Sequence, residues 1–485
     1  MIPARPFDPL SYLDANAARR PDAPAVFDRD RVVTFAALAG VVHDLVRTLG
    51  RLAPSQPVAV HLANVWEYVA LEIAIPAAGG VVMPLPLSLG RAEIEWAMAR
   101  SGASRMVTQA DLPSLFTPQA PESAPLPGTA PGGPAPPPPP PPFSADPARV
   151  VEIALTSGTT GMPKLAGLTA KLKQATFEGF TGRLEVTEDD RVLVMSPLTQ
   201  GIGGMCLFCL RPGAALIMLH EPRFTPELVL RLAERHRATM LVGVPTNVIR
   251  LLDSAQLEAT DLSSARLTAV AGAPMPPAVA AEWEERTGSK VCTFYGSMDA
   301  GQLSVGSPSD PKQKRHTTVG RPHACCEVRI TDEGEICMRG DTVQERYWGE
   351  ERGPHEADGW VHMGDLGFVD EDGYLSVVGR KKDLIIRGGS NINPHEVEEV
   401  VRRHPGVADV CIVGRPDREL GERAVAFLVA RAGAPPVELA ELTAHLESQG
   451  LARYKWPEQI VAIHELPLSG PGKVNRQSLR ERLQT

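Results

Sequence analysis

The chain has 485 residues, 43% of them hydrophobic and 22% charged, with a formal net charge of −9. That length allows two or more domains and that balance is the one globular proteins have, which sets aside fibrous, disordered and membrane-embedded classes. The acidic excess offers no broad basic surface, so no nucleic-acid partner is expected.

The first residues, MIPARPFDPL, contain no apolar stretch of signal-peptide length. The most hydrophobic run, Tyr68 to Leu89, is interrupted by Glu72, Pro76, Gly79, Gly80, Pro84 and Pro86, so the roughly 20 apolar residues of a membrane span are not available. A cytoplasmic protein without a membrane span is expected. Residues 58 to 115 alternate strand-like apolar runs with helical patterns, the rhythm of an α/β domain. Residues 118–147 break it: Pro136 to Pro142 are consecutive prolines, which lack backbone donors and favour extended polyproline II. A surface loop is the expected reading, ahead of a docking ligand for an aromatic groove.

Val150 to Leu155 reads as a buried strand that delivers LTSGTTGMPKLAG, a run crowded with hydroxyls and glycines and closed by a lysine. It suits an anion, yet Gly158 and Gly161 lie three apart and Pro163 precedes Lys164, which is not Walker spacing. The apolar Leu165 to Thr169 then predicts that the loop joins two strands. Further strands are expected at VLVMSPL, ALIMLH, MLVGVP, LTAVAGAP and KVCTFYG, the last three running into Gly or Pro as strand ends that open a site do. Seven cysteines at irregular spacing form no disulfide framework. The pair Cys206 and Cys209 has redox-motif spacing in apolar surroundings, and is expected to pack in the core.

The last hundred residues have a different texture. Asn393, Pro394 and Glu396 give the N-cap, first-turn proline and following glutamate of a helix start. Strands at Val407 to Val413 and Ala424 to Val429 and a helix over Glu438 to Gln449 complete a small α+β module.

Four of these constellations together resemble the adenylate-forming superfamily of acyl-CoA synthetases, peptide-synthetase adenylation domains and luciferases, from about residue 25 to residue 480. The resemblance implies an α/β protein: a large N-terminal domain over 1–381, with β-sheets flanked by helices, and a mobile α+β domain over 382–485 hinged at Lys382. It implies that Thr156, Ser157, Gly158, Thr159, Thr160, Gly161 and Lys164 hold the ATP phosphates. Gly272, Ala273 and Pro274, with Tyr295, Gly296, Ser297 and Met298, would form the adenine side, and Asp299 the Mg²⁺ position. Asp365 would accept the ribose hydroxyls, with Arg380 assisting at the same nucleotide. Lys473 would bridge the carboxylate and the α-phosphate. Arg387, Gly388, Gly389 and Ser390 would meet the thiol of coenzyme A after rotation about Lys382.

This chain departs from the family pattern at Asp299, where glutamate is usual, at Met298, where threonine is usual, and at Leu165, where glycine is common. Thr199 and Gln200 stand where many acyl-CoA ligases have an aromatic residue and histidine. The expected acid pocket is Gln200, Gly201, Ile202, Gly203, Gly204 and Val248. Ser196 to His220 contains no Asp or Glu before Glu221, so an α-amino acid, whose ammonium would be buried unpaired, is disfavoured. The reading is an ATP-dependent carboxylate–CoA ligase for an aromatic, alicyclic or medium-chain acid. A stand-alone enzyme that loads a carrier protein's phosphopantetheine and a non-catalytic nucleotide-binding relative are the alternatives. Sequence leaves the oligomeric state open.

Overall fold

The computed structural model describes residues 7–50, 55–116, 146–156, 164–220, 224–298, 300–469 and 473–483, with only the backbone of Ser469 and Lys473. Ser157, Gly158, Thr159, Thr160 and Gly161, Asp299 and the proline run 136–142 lie outside the described residues.

The short apolar runs become strands because their apolar residues are buried. Ala215–Met218, Arg191–Val194, Met240–Gly243, Leu267–Val270 and Lys290–Ser297 pair in that spatial order, all parallel. Covered on both faces, such strands need no polar alternation. Antiparallel strands Gly301–Val305 and Arg321–Pro322 finish one edge. The other edge comes from the beginning of the chain, where Pro24–Asp28 joins Ala215–Met218 in parallel and is followed by Arg31–Thr34.

A second sheet has the order Arg105–Thr108, Pro57–His61, Val81–Pro84, Val150–Thr156 and Lys164–Thr169, with only the last strand antiparallel. The expected pair of strands flanking the anion loop is thus present. One core cluster joins this sheet to the first through the helices Phe35–Leu49, Trp66–Ala77 and Ala170–Arg183, with Phe35, Tyr68 and Phe180 at no more than 1% exposure. Cys206 and Cys209 are fully buried in that cluster, and burial pushes both thiols above their ordinary pKa. A third, antiparallel sheet follows: Cys326–Ile330, Glu335–Gly340, Val361–Val369 and Leu375–Arg380.

The C-terminal module has its own sheet, in which Gly421–Ala430 lies between Val407–Asp417 and Gln459–Ile463 and also meets the hairpin Ile385–Arg387/Ser390–Ile392. Helices Pro394–Val401 and Leu439–Ser448 cover one face and Arg476–Arg482 the other, each over a separate apolar cluster. Asn393 caps its helix as expected, accepting from the His395 N–H at 3.1 Å. Glu396 does not complete a capping box, since its carboxylate is held by Lys455 Nζ at 2.5 and 2.7 Å. An ion pair across the module replaces the local bond. No helix among the described residues is long and apolar enough to cross a membrane.

Gly301 begins the strand Gly301–Val305. Its φ is +113°, and a Cβ there would lie 1.8 Å from the Thr342 carbonyl oxygen. Both the left-handed backbone and the close approach require glycine. Gly301→Ala is expected to destabilise the protein by about 2–4 kcal/mol, as overpacking against backbone does, and to lower the thermal unfolding midpoint; an unchanged midpoint would contradict the packing described.

Candidate active site

The anion loop hangs from the antiparallel pair Thr156–Lys164, the last register pair of its two strands. Thr156 is 2% exposed and its Oγ1 has no hydrogen-bond partner among the described residues. A hydroxyl buried without a partner is destabilising unless a ligand or water completes it. Lys164 turns to Tyr347, with Nζ 3.1 Å from the phenol oxygen and 4.5 Å from the ring centroid. That cation–π contact fixes the lysine at the base of the loop. Tyr347 was not legible as a partner, because it lies in a distant segment that joins the sheet through the Ala166–Tyr347 bridge.

Leu267–Val270 and Lys290–Ser297 are neighbouring parallel strands, and Gly272, Ala273 and Pro274 follow the end of the first. Tyr295, Gly296 and Ser297 end the second, where the register shifts between Tyr295 and Gly296. Tyr295 Oη donates to Asp365 Oδ2 at 2.6 Å. Asp365 sits on Val361–Val369 directly opposite Arg380, whose Nε donates to Oδ1 at 2.7 Å. One buried carboxylate, 5% exposed, therefore ties the large parallel sheet to the third sheet. Burial, reinforced by the charge of Asp365, holds the Tyr295 phenol well above its usual pKa, so it stays a neutral donor. Each Asp365 oxygen retains a lone pair beyond these bonds.

On the acid side, Ser196 and Pro197 lead to Gln200, which precedes the short helix Gly201–Cys206. Gln200 Oε1 is buried without a partner among the described residues. A Cβ on Gly201 would lie 2.8 Å from Met298 Sδ, which places Met298 against this helix. Ile202 and Met205 are partly buried beside the core. Gly203 is held to glycine by the backbone, since a Cβ there would lie 2.1 Å from the Pro197 carbonyl oxygen. One expectation needs correction. Val248 is 0% exposed inside the cluster of Leu193, Met195 and Leu251, so it backs the helix Pro245–Leu252 and presents no open wall. Gln302, unnoticed in the sequence, donates to Met205 Sδ at 3.5 Å and pairs with His323 Nε2 at 2.9 Å.

The segment after Arg380 is divided by its ion pairs. Lys381 Nζ reaches Glu333 at 2.7 Å and Glu335 at 3.1 Å on the third sheet, whereas Asp383 receives Arg480 at 3.2 Å from the last helix of the C-terminal module. Lys382 stands exposed between these anchors. Gly388 and Gly389, with φ of +56° and +81°, form the two-residue turn that joins Arg387 to Ser390, a type I′ geometry that glycine suits. Arg387 Nε donates to Glu458 Oε1 at 2.8 Å. Lys473 opens the strand Lys473–Val474, paired with Leu468–Ser469.

These sheets and sites define an adenylate-forming ligase: the chain belongs to the AMP-binding enzyme family, which matches residues 13–348, and the AMP-binding enzyme C-terminal domain matches 396–473. Its class is the AMP-forming acyl-CoA synthetases. Among its relatives, the 3-[(3aS,4S,7aS)-7a-methyl-1,5-dioxo-octahydro-1H-inden-4-yl]propanoyl:CoA ligase of Mycobacterium tuberculosis is 35% identical over 500 residues, with 97% of each chain covered. A feruloyl-CoA synthase of an Amycolatopsis species is 32% identical over 491 residues, covering 96% of this chain and 97% of its own. ATP-bound MatB from Rhodopseudomonas palustris superposes with a TM-score of 0.85 at 25% identity, over 98% of this chain and 99% of that one.

Proposed function

We propose that the enzyme joins a carboxylic acid to coenzyme A in two steps, acyl-adenylate formation from ATP with release of pyrophosphate, then displacement of AMP by the thiol. The observation that supports this most is Asp365, buried and braced by Tyr295 and Arg380 with a lone pair left on each oxygen, as a ribose diol requires. Thr156 and the residues Ser157 to Gly161 hold the departing phosphates, and the unpartnered Thr156 Oγ1 supplies one contact. Gly272, Ala273 and Pro274 edge the adenine, with Tyr295 beside it. Lys164, engaged with Tyr347, anchors the loop, and the cation at the α-phosphate is Lys473.

Magnesium, when bound, neutralises phosphate charge; Asp299 offers the carboxylate and Thr156 a further hard oxygen, the donor type that this ion selects. The domains divide at Lys382, between the two sets of ion pairs, and rotation there exchanges Lys473 for the Arg387–Ser390 turn. The acid is aromatic, alicyclic or medium-chain: Ile202, Met205 and Met298 give apolar walls, no carboxylate lies between Ser196 and His220, and the relatives named above act as bicyclic-propanoyl and feruloyl CoA synthetases.

The test is acid-dependent exchange of labelled pyrophosphate into ATP across aromatic, alicyclic and linear acids, followed by thioester formation with free CoA. Exchange without transfer to CoA would redirect the second step to a carrier protein, and no exchange with any acid would overturn the assignment. In the same assay Thr156→Val, which removes one hydroxyl and keeps the shape, is expected to raise the KM for ATP about tenfold, the worth of one hydrogen bond to a charged group.

A further inference from the structure

A cleft separate from the residues assigned above lies among the helices Pro9–Arg19, Trp66–Ala77 and Ala170–Arg183 and the 3₁₀ turn Leu207–Leu210. It opens to solvent at its mouth. Its walls are apolar, with Phe7, Leu13, Ile73, Phe177, Leu207 and Phe208 prominent. Against them stand charges that packing alone does not call for. Lys173 and Glu72 are each 8% exposed. Lys173 Nζ lies 3.3 Å from Glu72 Oε1 and also binds Glu152, while Glu72 Oε2 has no hydrogen-bond partner among the described residues. Arg211 is held between two rings, 3.6 Å from the centroid of Tyr12 and 3.8 Å from that of Phe177, and gives one side-chain bond, from Nη1 to Gln174 Oε1 at 2.9 Å.

Buried ions carry a desolvation penalty of several kcal/mol each, and an apolar pocket with a few convergent polar groups is the usual form of a ligand site. The charges also specify the ligand. Lys173 and Glu152 neutralise one another. Burial and the charge of Glu152 push the Glu72 carboxyl up to about 8 against the pull of Lys173. Arg211 has N–H groups beyond the Gln174 bond turned to no acceptor among the described residues. A planar guanidinium is a donor suited to a carboxylate.

We propose that this cleft is a second acid-binding site, which takes a small carboxylate with an apolar or aromatic body: the carboxylate on Arg211, the body against Ile73, Phe177 and Phe208. Its walls continue the elements of the active site. Glu152 is on the strand that ends in Thr156, Lys173 is on the helix after Lys164–Thr169, and Leu207–Leu210 extends the helix after Gln200.

The experiment is calorimetric titration of the full chain with benzoate or octanoate after saturation with a benzoyl sulfamoyl-adenosine mimic of the acyl-adenylate, which blocks the site of the reaction. One residual equivalent of carboxylate is expected to bind, at least tenfold more weakly in Arg211→Gln and not at all in Ile73→Trp, which fills the cleft. No residual binding, or binding unchanged in both variants, would overturn the proposal. Titration of the mimic into each variant reports folding. Should the mimic itself fail to bind the unaltered protein, the ligase assignment is at fault, and the two variants still decide whether carboxylate enters the cleft.

Discussion

Asp365→Asn is expected to reduce pyrophosphate exchange by about 10²-fold to 10⁴-fold in kcat/KM, with much of the loss in the KM for ATP. The substitution keeps the shape but removes the charge, and two hydrogen bonds to a charged group are worth about 1.5–3 kcal/mol each. Asp365 also has a structural task, since Tyr295 and Arg380 meet only through it. Tyr295→Phe separates the two tasks. It removes the phenol's bond to Oδ2 and leaves the carboxylate in place, so a change below about tenfold is expected, the net worth of one ordinary hydrogen bond or a little more. If Tyr295→Phe proved as damaging as Asp365→Asn, the carboxylate would be a brace alone and the ribose assignment would fail. Thermal unfolding of both variants shows whether the brace itself survives.

Lys473→Ala is expected to lower acyl-adenylate formation by about 10³-fold, the order of loss seen when a preorganised group that stabilises transition-state charge is removed. Thioester formation from supplied acyl-adenylate and CoA should remain within a few-fold of the unaltered enzyme. The asymmetry follows from the proposed division at Lys382: Lys381 is tied to Glu333 and Glu335, Asp383 to Arg480, and the residue between them is exposed. A segment so anchored on both sides concentrates rotation in the few bonds left between, which is how hinges are built. In the proposed scheme Lys473 serves one orientation of the C-terminal module, and the turn Arg387–Ser390 the other. Equal loss of both half-reactions in Lys473→Ala would rule out this two-orientation scheme.

The cleft around Arg211 bears on specificity of another kind. An enzyme that consumes a carboxylate and also holds one beside the helix of its acid pocket has a means of sensing its own substrate class. Arg211→Gln isolates that property, because among the described residues its side chain meets Gln174, Tyr12 and Phe177, none of them assigned to nucleotide or acid.

Local pattern was sufficient for much of the fold. The runs at Arg191–Val194, Met240–Gly243 and Leu267–Val270 are short, apolar and followed by Gly or Pro, and a buried parallel strand needs nothing more. The same holds for the helix capped by Asn393 and for the hairpin that carries the anion loop, where side-chain chemistry and spacing act over a few residues. Tyr295, Asp365 and Arg380, proposed to meet the nucleotide, stand out in the sequence as members of separate motifs. What tertiary structure alone decided is which of them touch. Strand Pro24–Asp28 finds its place beside Ala215–Met218, Lys164 meets Tyr347, Gly203 presses on the Pro197 backbone, Val248 turns into the core, and Glu72, Glu152 and Lys173 gather under one cleft. These pairs are remote in the chain, or depend on which way a side chain points after its element has packed. Periodicity gives the buried face of an element, while its partner is chosen by the sheet order and helix packing that close the core.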